Sequence, residues 1–437
     1  MITPATALIT VLLVILIFVL PRRYVLVPFV LTACFVPADQ HASMFSLHFY
    51  VNRILIFSGI LRILIREESR VIRWNRLDKF VLAWALVGAV CHIMRTMEFQ
   101  SIIYKSGVLV DILGMYWITR QAISSWDDVK RVVLAFALCV VALVPFVAYE
   151  WSTGTNPFLF MGAIQTLFRE GNFRCMASFR HPIVAGSFMA CLVPLFISLG
   201  MTGQRKVVYW IAVAGAIFIA MASNSSTPLG GLMAVGLLTI AFRLRQYGRH
   251  VALGFFGSLT ALHIVMKAPV WSLLYRFEIV AGSTGFHRYL IIDEAVRHFT
   301  QWMLLGTDNT EIWGEGLSDV TNNFVLEGVR GGAVTLALFG VILYLAIRTT
   351  GWFSQRRIPR DRQWLSWAVC TSLIGHCIMF IGLGYFGQIE ILLYMTFAFA
   401  GFTYEQNEQL DAAETVQRRT VVSAVPSAGS GYMGATS

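Results

Sequence analysis

Residues 182–200 read PIVAGSFMACLVPLFISLG, nineteen positions without a charge. A run of this length matches the hydrocarbon thickness of a bilayer when it is helical. Membrane strands alternate in polarity over about ten residues, and this run does not, so it predicts a helix. The same signature recurs from end to end. Of 437 residues, 57% are hydrophobic and 13% are charged. A soluble chain carries about twice that charge, so a polytopic membrane protein is expected.

Working outward, apolar runs predict about thirteen spans: 4–20, 24–37, 47–65, 78–95, 102–119, 131–150, 182–200, 207–222, 227–243, 250–266, 329–348, 364–384 and 386–403. The first has no basic segment before it and no small-residue cleavage site, so it is read as a helix, not a cleaved leader. The last two are separated only near Gly384–Gly387 and could form a re-entrant unit. The organisation expected is therefore ten helices over 1–266, one large outer loop at 267–328, further helices over 329–404, and a disordered tail over 405–437. The tail shows no apolar periodicity.

Every second connection is basic. Arg22 and Arg23, then Arg66 to Lys79, Arg120 to Arg131, Arg205 and Lys206, Arg243 to Arg249, and Arg348 to Arg362 occupy alternate loops. The positive-inside bias assigns these to the cytoplasm. The N-terminus is then periplasmic and the C-terminus cytoplasmic.

Two basic clusters fall on the other side. FREGNFRCMASFRHP, at 168–182, holds Arg169, Arg174, Arg180 and His181; the region around FHRYLIIDEAVRHFTQW, at 286–302, adds Arg276, His287, Arg288, Arg297 and His298. If 286–302 is a helix, His287, Ile291, Glu294 and His298 share a face and Asp293 can pair with Arg297. Such a helix could lie among lipid headgroups. The alternative is a pocket for a multiply charged anion, because the arginine fork binds phosphate oxygens in pairs and stays ionised. Arg53 and Asp111, inside spans, are either a structural pair or a substrate contact. Asp319 or Thr321 could cap the helix that follows, and Gly331 and Gly332 would let it meet a neighbour closely.

The chain lacks a phosphate-binding Walker loop, a dinucleotide-binding glycine motif, HExxH and GxSxG. Its seven cysteines show no paired spacing, so neither disulfides nor a metal site is expected. The net charge of +10 follows from topology, with no nucleic-acid partner implied.

Three motifs, in this order, resemble the bacterial O-antigen ligase and polymerase family: RCMASFRHPIVAGSFMACLVPL, then FHRYLIIDEAVRHF with LLGT and WGEGL, then TNNFVLEGVRGGAVTLALF. The resemblance spans most of the chain. It implies an all-α, GT-C-like fold and a glycosyltransferase of the exopolysaccharide polymerase-like branch, needing no cofactor or metal. The donor would be an undecaprenyl-pyrophosphate-linked glycan and the acceptor a glycan or lipid, with a chain-length regulator and a flippase as further partners. Arg174 and Arg288 would hold the pyrophosphate, helped by Arg180 and Arg276. Asn322 and Asn323 occupy the family's His-Asn position, and asparagine cannot serve as a base near neutral pH. Candidates for that role are Asp319, Glu327, His181 and His298. A transporter or flippase for an anionic lipid-linked glycan is the alternative.

Overall fold

Polar side chains cap several of the helices of this chain. In the computed structural model, which describes residues 1–44, 47–276 and 285–424, Asn75 and Ser125 each start a helix with a reciprocal capping box. His181 and Asn322 cap two others through their side chains. The α-helices described are α1 (Pro4–Val19), α2 (Val27–Phe35), α3 (Val51–Ile65), α4 (Arg76–Thr96), α5 (Phe99–Leu109), α6 (Met115–Ala122), α7 (Trp126–Thr153), α8 (Pro182–Thr202), α9 (Lys206–Ala222), α10 (Ser226–Ile240), α11 (Gly248–Val265), α12 (Gly285–Arg297), α13 (Phe299–Trp302), α14 (Asn323–Phe353), α15 (Arg360–Phe380) and α16 (Gln388–Ala424).

The expectation of about thirteen spans in an all-α, GT-C-like bundle is corrected. Among the described residues, six helical stretches are long and apolar enough to cross a membrane: Arg76–Thr96, Phe99–Ala122, Trp126–Thr153, Pro182–Thr202, Ser226–Val265 and Asn323–Phe353. A full crossing takes about 20 residues. The apolar helices α1 and α9 have 16 and 17, and α2 and α3 have 9 and 15. The expected spans 227–243 and 250–266 run on as one stretch of 40 residues, through a 3-10 turn at Ala241–Tyr247. α15 takes in Arg360, Asp361, Arg362 and Gln363. Nor is the chain all-α. Two antiparallel hairpins are present, β1 (His41–Met44) with β2 (Leu47–Tyr50), and β3 (Leu167–Arg169) with β4 (Asn172–Arg174). The protein is a multi-pass helical membrane protein.

The stretch 182–200 is the centre of the bundle. α8 packs against α9, α10 and α15, and 89% of its apolar window is buried. Phe179, Phe136 and Phe188 meet ring to ring around its first turns.

The lack of periodicity after residue 405 predicts a disordered tail, yet α16 continues to Ala424. Its sequence there, EQNEQLDAAE, is rich in strong helix formers. Glu405 is buried and bonds Arg70 and Arg120, and Asn407 donates to the Thr349 carbonyl at 3.3 Å. Residues 425–437 lie outside those described. Around Glu405 stands a sealed charge network. Arg120, 1% exposed, donates to Asp78 at 3.1 Å and to Glu405 at 3.3 Å, and the Tyr116 hydroxyl donates to Asp78 at 2.5 Å.

At the opposite end of the bundle, the region expected as one large loop folds over the helix ends. Ile291, Trp302, Trp313, Leu317 and Val320 form a second small core with Val329 of α14. Asp293 pairs with Arg297 at 2.9 Å, as the spacing predicts, and also accepts the Trp271 indole N–H at 3.1 Å. This cap is locked into a break in α14. Gly332 leaves helical geometry with φ 80° and ψ 177°. The freed Val329 carbonyl accepts the Thr307 N–H at 2.7 Å, and the Ala333 N–H donates to the Met303 carbonyl at 2.8 Å. The close neighbour that Gly332 admits is thus a loop backbone, while Gly331 leaves room for the Thr335 side chain of its own helix. A Cβ on Gly332 would lie 2.2 Å from the Leu304 carbonyl oxygen. Gly332→Ala is therefore expected to cost about 3 kcal/mol, the upper range for a forced backbone conformation. Thermal unfolding of the purified protein measures it, and a melting temperature equal to wild type contradicts the interlock.

Candidate anion-binding cleft

The first basic cluster is shaped by the β3–β4 hairpin. Its turn residues Glu170 and Gly171 both have positive φ, the backbone that matches the twist of paired strands. The register pairs Leu167 with Arg174 and Arg169 with Asn172. Arg169 and Arg174 therefore share one face, and Phe168 and Phe173 meet edge to face on the other.

The chain after the hairpin is fixed from several sides. Glu150, fully buried at the end of α7, accepts the Met176 N–H at 3.1 Å, the Ala177 N–H at 2.7 Å and the Thr166 hydroxyl at 2.9 Å. Asn156 donates to the Ala177 carbonyl, and Gln388 donates to the Ser178 carbonyl, each at 2.8 Å. Nothing in the composition of α7 marks Glu150 for this task. Only the fold brings it beneath the hairpin.

Arg174, Arg288, His181 and Asp319 line one cleft of about 630 Å³. Arg288 reaches it from α12, passing Gly382, where a Cβ would come 2.9 Å from the guanidinium Nε. Arg174 donates to the Ser225 hydroxyl at 2.6 Å. The Nε atoms of Arg174 and Arg288 are both buried and unbonded. Among the described residues, neither arginine forms an ion pair, and neither does Arg169, which lines the same cleft. Burial and then the Arg169 charge lower the proton affinity of both guanidinium groups from their ordinary value. These are half-buried cations gathered in one cleft with no carboxylate bonded to them among the described residues, an arrangement that an incoming anion would stabilise. The cleft carries six cationic side chains, Arg95, Lys105, Arg169, Arg174, Arg288 and Arg330, against the carboxylates Asp308 and Asp319.

His181 presents a donor to this cleft. Its Nδ1 accepts the Ile183 N–H at 3.2 Å as the cap of α8. A neutral ring so bonded keeps its proton on Nε2. Burial and the Arg174 charge push the imidazole down from 6.5 to about 4. Between those values the unfolded chain binds a proton that the folded chain does not, so stability falls as pH drops from about 6.5 toward 4. His181→Asn caps the helix without titrating and is expected to remove that share of the decline. Melting curves at about pH 7 and about pH 5 test this. The gap between the two melting temperatures narrows in the variant; an unchanged gap contradicts the assignment.

The other candidates stand elsewhere. Arg180 is half-exposed, pairs with Asp39 at 3.2 Å and lies over the Phe386 ring. Arg276 ends a 3-10 helix, Val270–Arg276, and its side chain is outside the described residues. His298 does not line the cleft. It stacks on Trp313 at 5.5 Å and bonds the Glu294 carbonyl at 3.0 Å. Asn322 is the cap of α14, accepting the Val325 N–H at 3.1 Å, a place where Asp319 or Thr321 was the expectation. Asn323 accepts the Tyr385 N–H at 2.8 Å. Both asparagines thus hold backbone. Glu327 lies deeper, accepting the Trp84 indole N–H at 2.8 Å in a chamber of about 70 Å³ that shares Lys105, Arg330 and Tyr385 with the cleft. Arg53 and Asp111 bond each other at 2.7 Å.

Lys105, Arg95 and Arg330 escape a reading that looks only for basic runs. The signal available was position: Arg95 lies in the last turn of α4 and Lys105 within the first two turns of the span that follows, the end where the loop bias disfavours cations.

Neither a protein-family model nor a curated protein sequence matches this chain.

Proposed function

We propose that the protein is a membrane glycosyltransferase that transfers or polymerises undecaprenyl-pyrophosphate-linked oligosaccharide in the synthesis of a surface polysaccharide, O-antigen or exopolysaccharide. It works at the periplasmic face of a bacterial inner membrane. The observation that carries this reading is the pair Arg174 and Arg288, which line one cleft and, among the described residues, have no carboxylate partner, each with its Nε buried and unbonded. The resemblance of the flanking motifs to the O-antigen ligase and polymerase family points the same way.

The chemistry follows from the charges. An acceptor hydroxyl attacks the anomeric carbon of the donor. The new carbon–oxygen bond forms as the bond to pyrophosphate breaks, and the electron pair leaves on the pyrophosphate. Guanidinium groups aimed at that developing charge lower the barrier. Asp319 is exposed within the cleft and takes the hydroxyl proton. His181, with its proton on Nε2, donates a hydrogen bond to an oxygen and does not act as the base. This scheme asks for no metal and no nucleotide.

A transporter of the same lipid would need charged groups continuing across the bundle. Of the intramembrane charges, Arg53 and Asp111 bond each other at 2.7 Å and Arg120 is held by Asp78 and Glu405, which supports fixed structural pairs. Glycan analysis of a deletion strain distinguishes the outcomes. Single repeat units on the surface indicate a lost polymerase, and unattached polymer a lost ligase. Carrier-linked units retained on the cytoplasmic side indicate a flippase and overturn the proposal.

A further inference from the structure

The cleft has two cationic walls from different elements. Arg169, Arg174 and Arg288 come from the hairpin and α12. The Arg169 charge acts on both Arg174 and Arg288. On the other wall stand Lys105 of α5 and Arg330 of α14, and the charges acting on Lys105 are Arg330, Glu327, Arg95 and Asp308.

Lys105 is the unusual member. It is 7% exposed, yet its ammonium makes no hydrogen bond or ion pair among the described residues. It lies 5.5 Å from the centre of the Tyr104 ring. Asp308, the exposed carboxylate nearby, is already committed to Arg95, which holds its carboxyl below the usual range. Glu327 is bonded to Trp84. A lysine at a membrane protein's rim ordinarily extends its head to water. Lys105 instead faces the seam between the cleft and the small chamber, and it lines both.

We infer that Lys105 and Arg330 form a second anion-binding position in the cleft, which takes a negatively charged group on the acceptor while Arg174 and Arg288 hold the donor's pyrophosphate. The group is a phosphate of a second lipid carrier or a carboxylate of an acidic sugar. This rests on the glycosyltransferase reading above.

The test is titration calorimetry of the full-length protein in zwitterionic nanodiscs with inorganic pyrophosphate. Wild type binds two equivalents. Arg174→Ala combined with Arg288→Ala removes one, and Lys105→Met removes the other, while Lys105→Arg keeps both. Arg330 is exposed, so Arg330→Gln folds normally and weakens the Lys105-dependent equivalent about tenfold, a single charge-assisted contact. Competition then separates the sources: glucuronate displacing only that equivalent indicates a sugar acid, and geranyl pyrophosphate displacing it indicates a lipid phosphate. One equivalent in wild type, untouched by Lys105→Met and Arg330→Gln, overturns this inference and leaves the donor site standing. No binding in wild type overturns the donor site as well.

Discussion

Arg174→Ala and Arg288→Ala each abolish long surface polymer in a complemented deletion strain, at matched protein levels, and carrier-linked units accumulate at the outer face. The expected loss in turnover is about 100- to 1000-fold for each, the magnitude for removing one preorganised donor to a developing oxyanion. The two losses do not add, because both groups stabilise the same leaving charge. The comparison that gives this meaning is Arg180→Ala. Arg180 belongs to the same sequence cluster but is half-exposed and paired with Asp39. Its removal changes turnover by no more than about threefold, as for an exposed ion pair. If all three variants behave alike, the arginines act as membrane-surface anchors and the cleft is not a pyrophosphate site.

Arg120→Ala destabilises the protein by about 3 to 5 kcal/mol, the range for breaking a buried ion pair from one side. Arg120 is 1% exposed and bonds both Asp78 and Glu405, which Tyr116 and Arg70 also contact. Removing the guanidinium leaves two buried carboxylates with fewer donors. The network joins α4, α6 and α16 at the end of the bundle away from the cleft, so the loss falls on stability and not on pyrophosphate affinity. Thermal unfolding in nanodiscs measures the first and calorimetry the second. Asp78→Asn combined with Arg120→Met is expected to recover much of the loss, since a neutral pair removes the uncompensated charge. A cost below about 1 kcal/mol for Arg120→Ala would mean that water reaches the network.

Much of this arrangement is written locally and was legible. The helical character of 182–200 and the Asp293–Arg297 pair rest on spacing within a few turns; Arg174 and Arg288 were singled out by the motif resemblance. The number of crossings was not legible. Hydropathy measures how apolar a run is, not where its hydrogen bonds break, and 227–243 and 250–266 look like two runs yet continue as one. The roles of Asn322 and Asn323 were also hidden. Their side chains are consumed by the Val325 and Tyr385 backbone groups, and Tyr385 is distant in sequence. His181 looked like a base because its residue type allows it; its tautomer is decided by the Ile183 N–H. Glu150 carries no local signature, and Lys105 carries only its position near the outer end of a span. One is recruited by a hairpin and the other by the absence of a partner, and both facts exist only in three dimensions.

The central claim is that the Arg174–Arg288 cleft binds the leaving pyrophosphate of a lipid-linked glycan while that glycan is transferred. It is tested most directly with the purified full-length protein in nanodiscs, given an undecaprenyl-pyrophosphate-linked oligosaccharide and followed by mass spectrometry of both halves. The account predicts lengthened or transferred glycan together with free undecaprenyl pyrophosphate, and neither product with Arg174→Ala. An intact donor after incubation with wild type, whether or not it has moved across the bilayer, contradicts it.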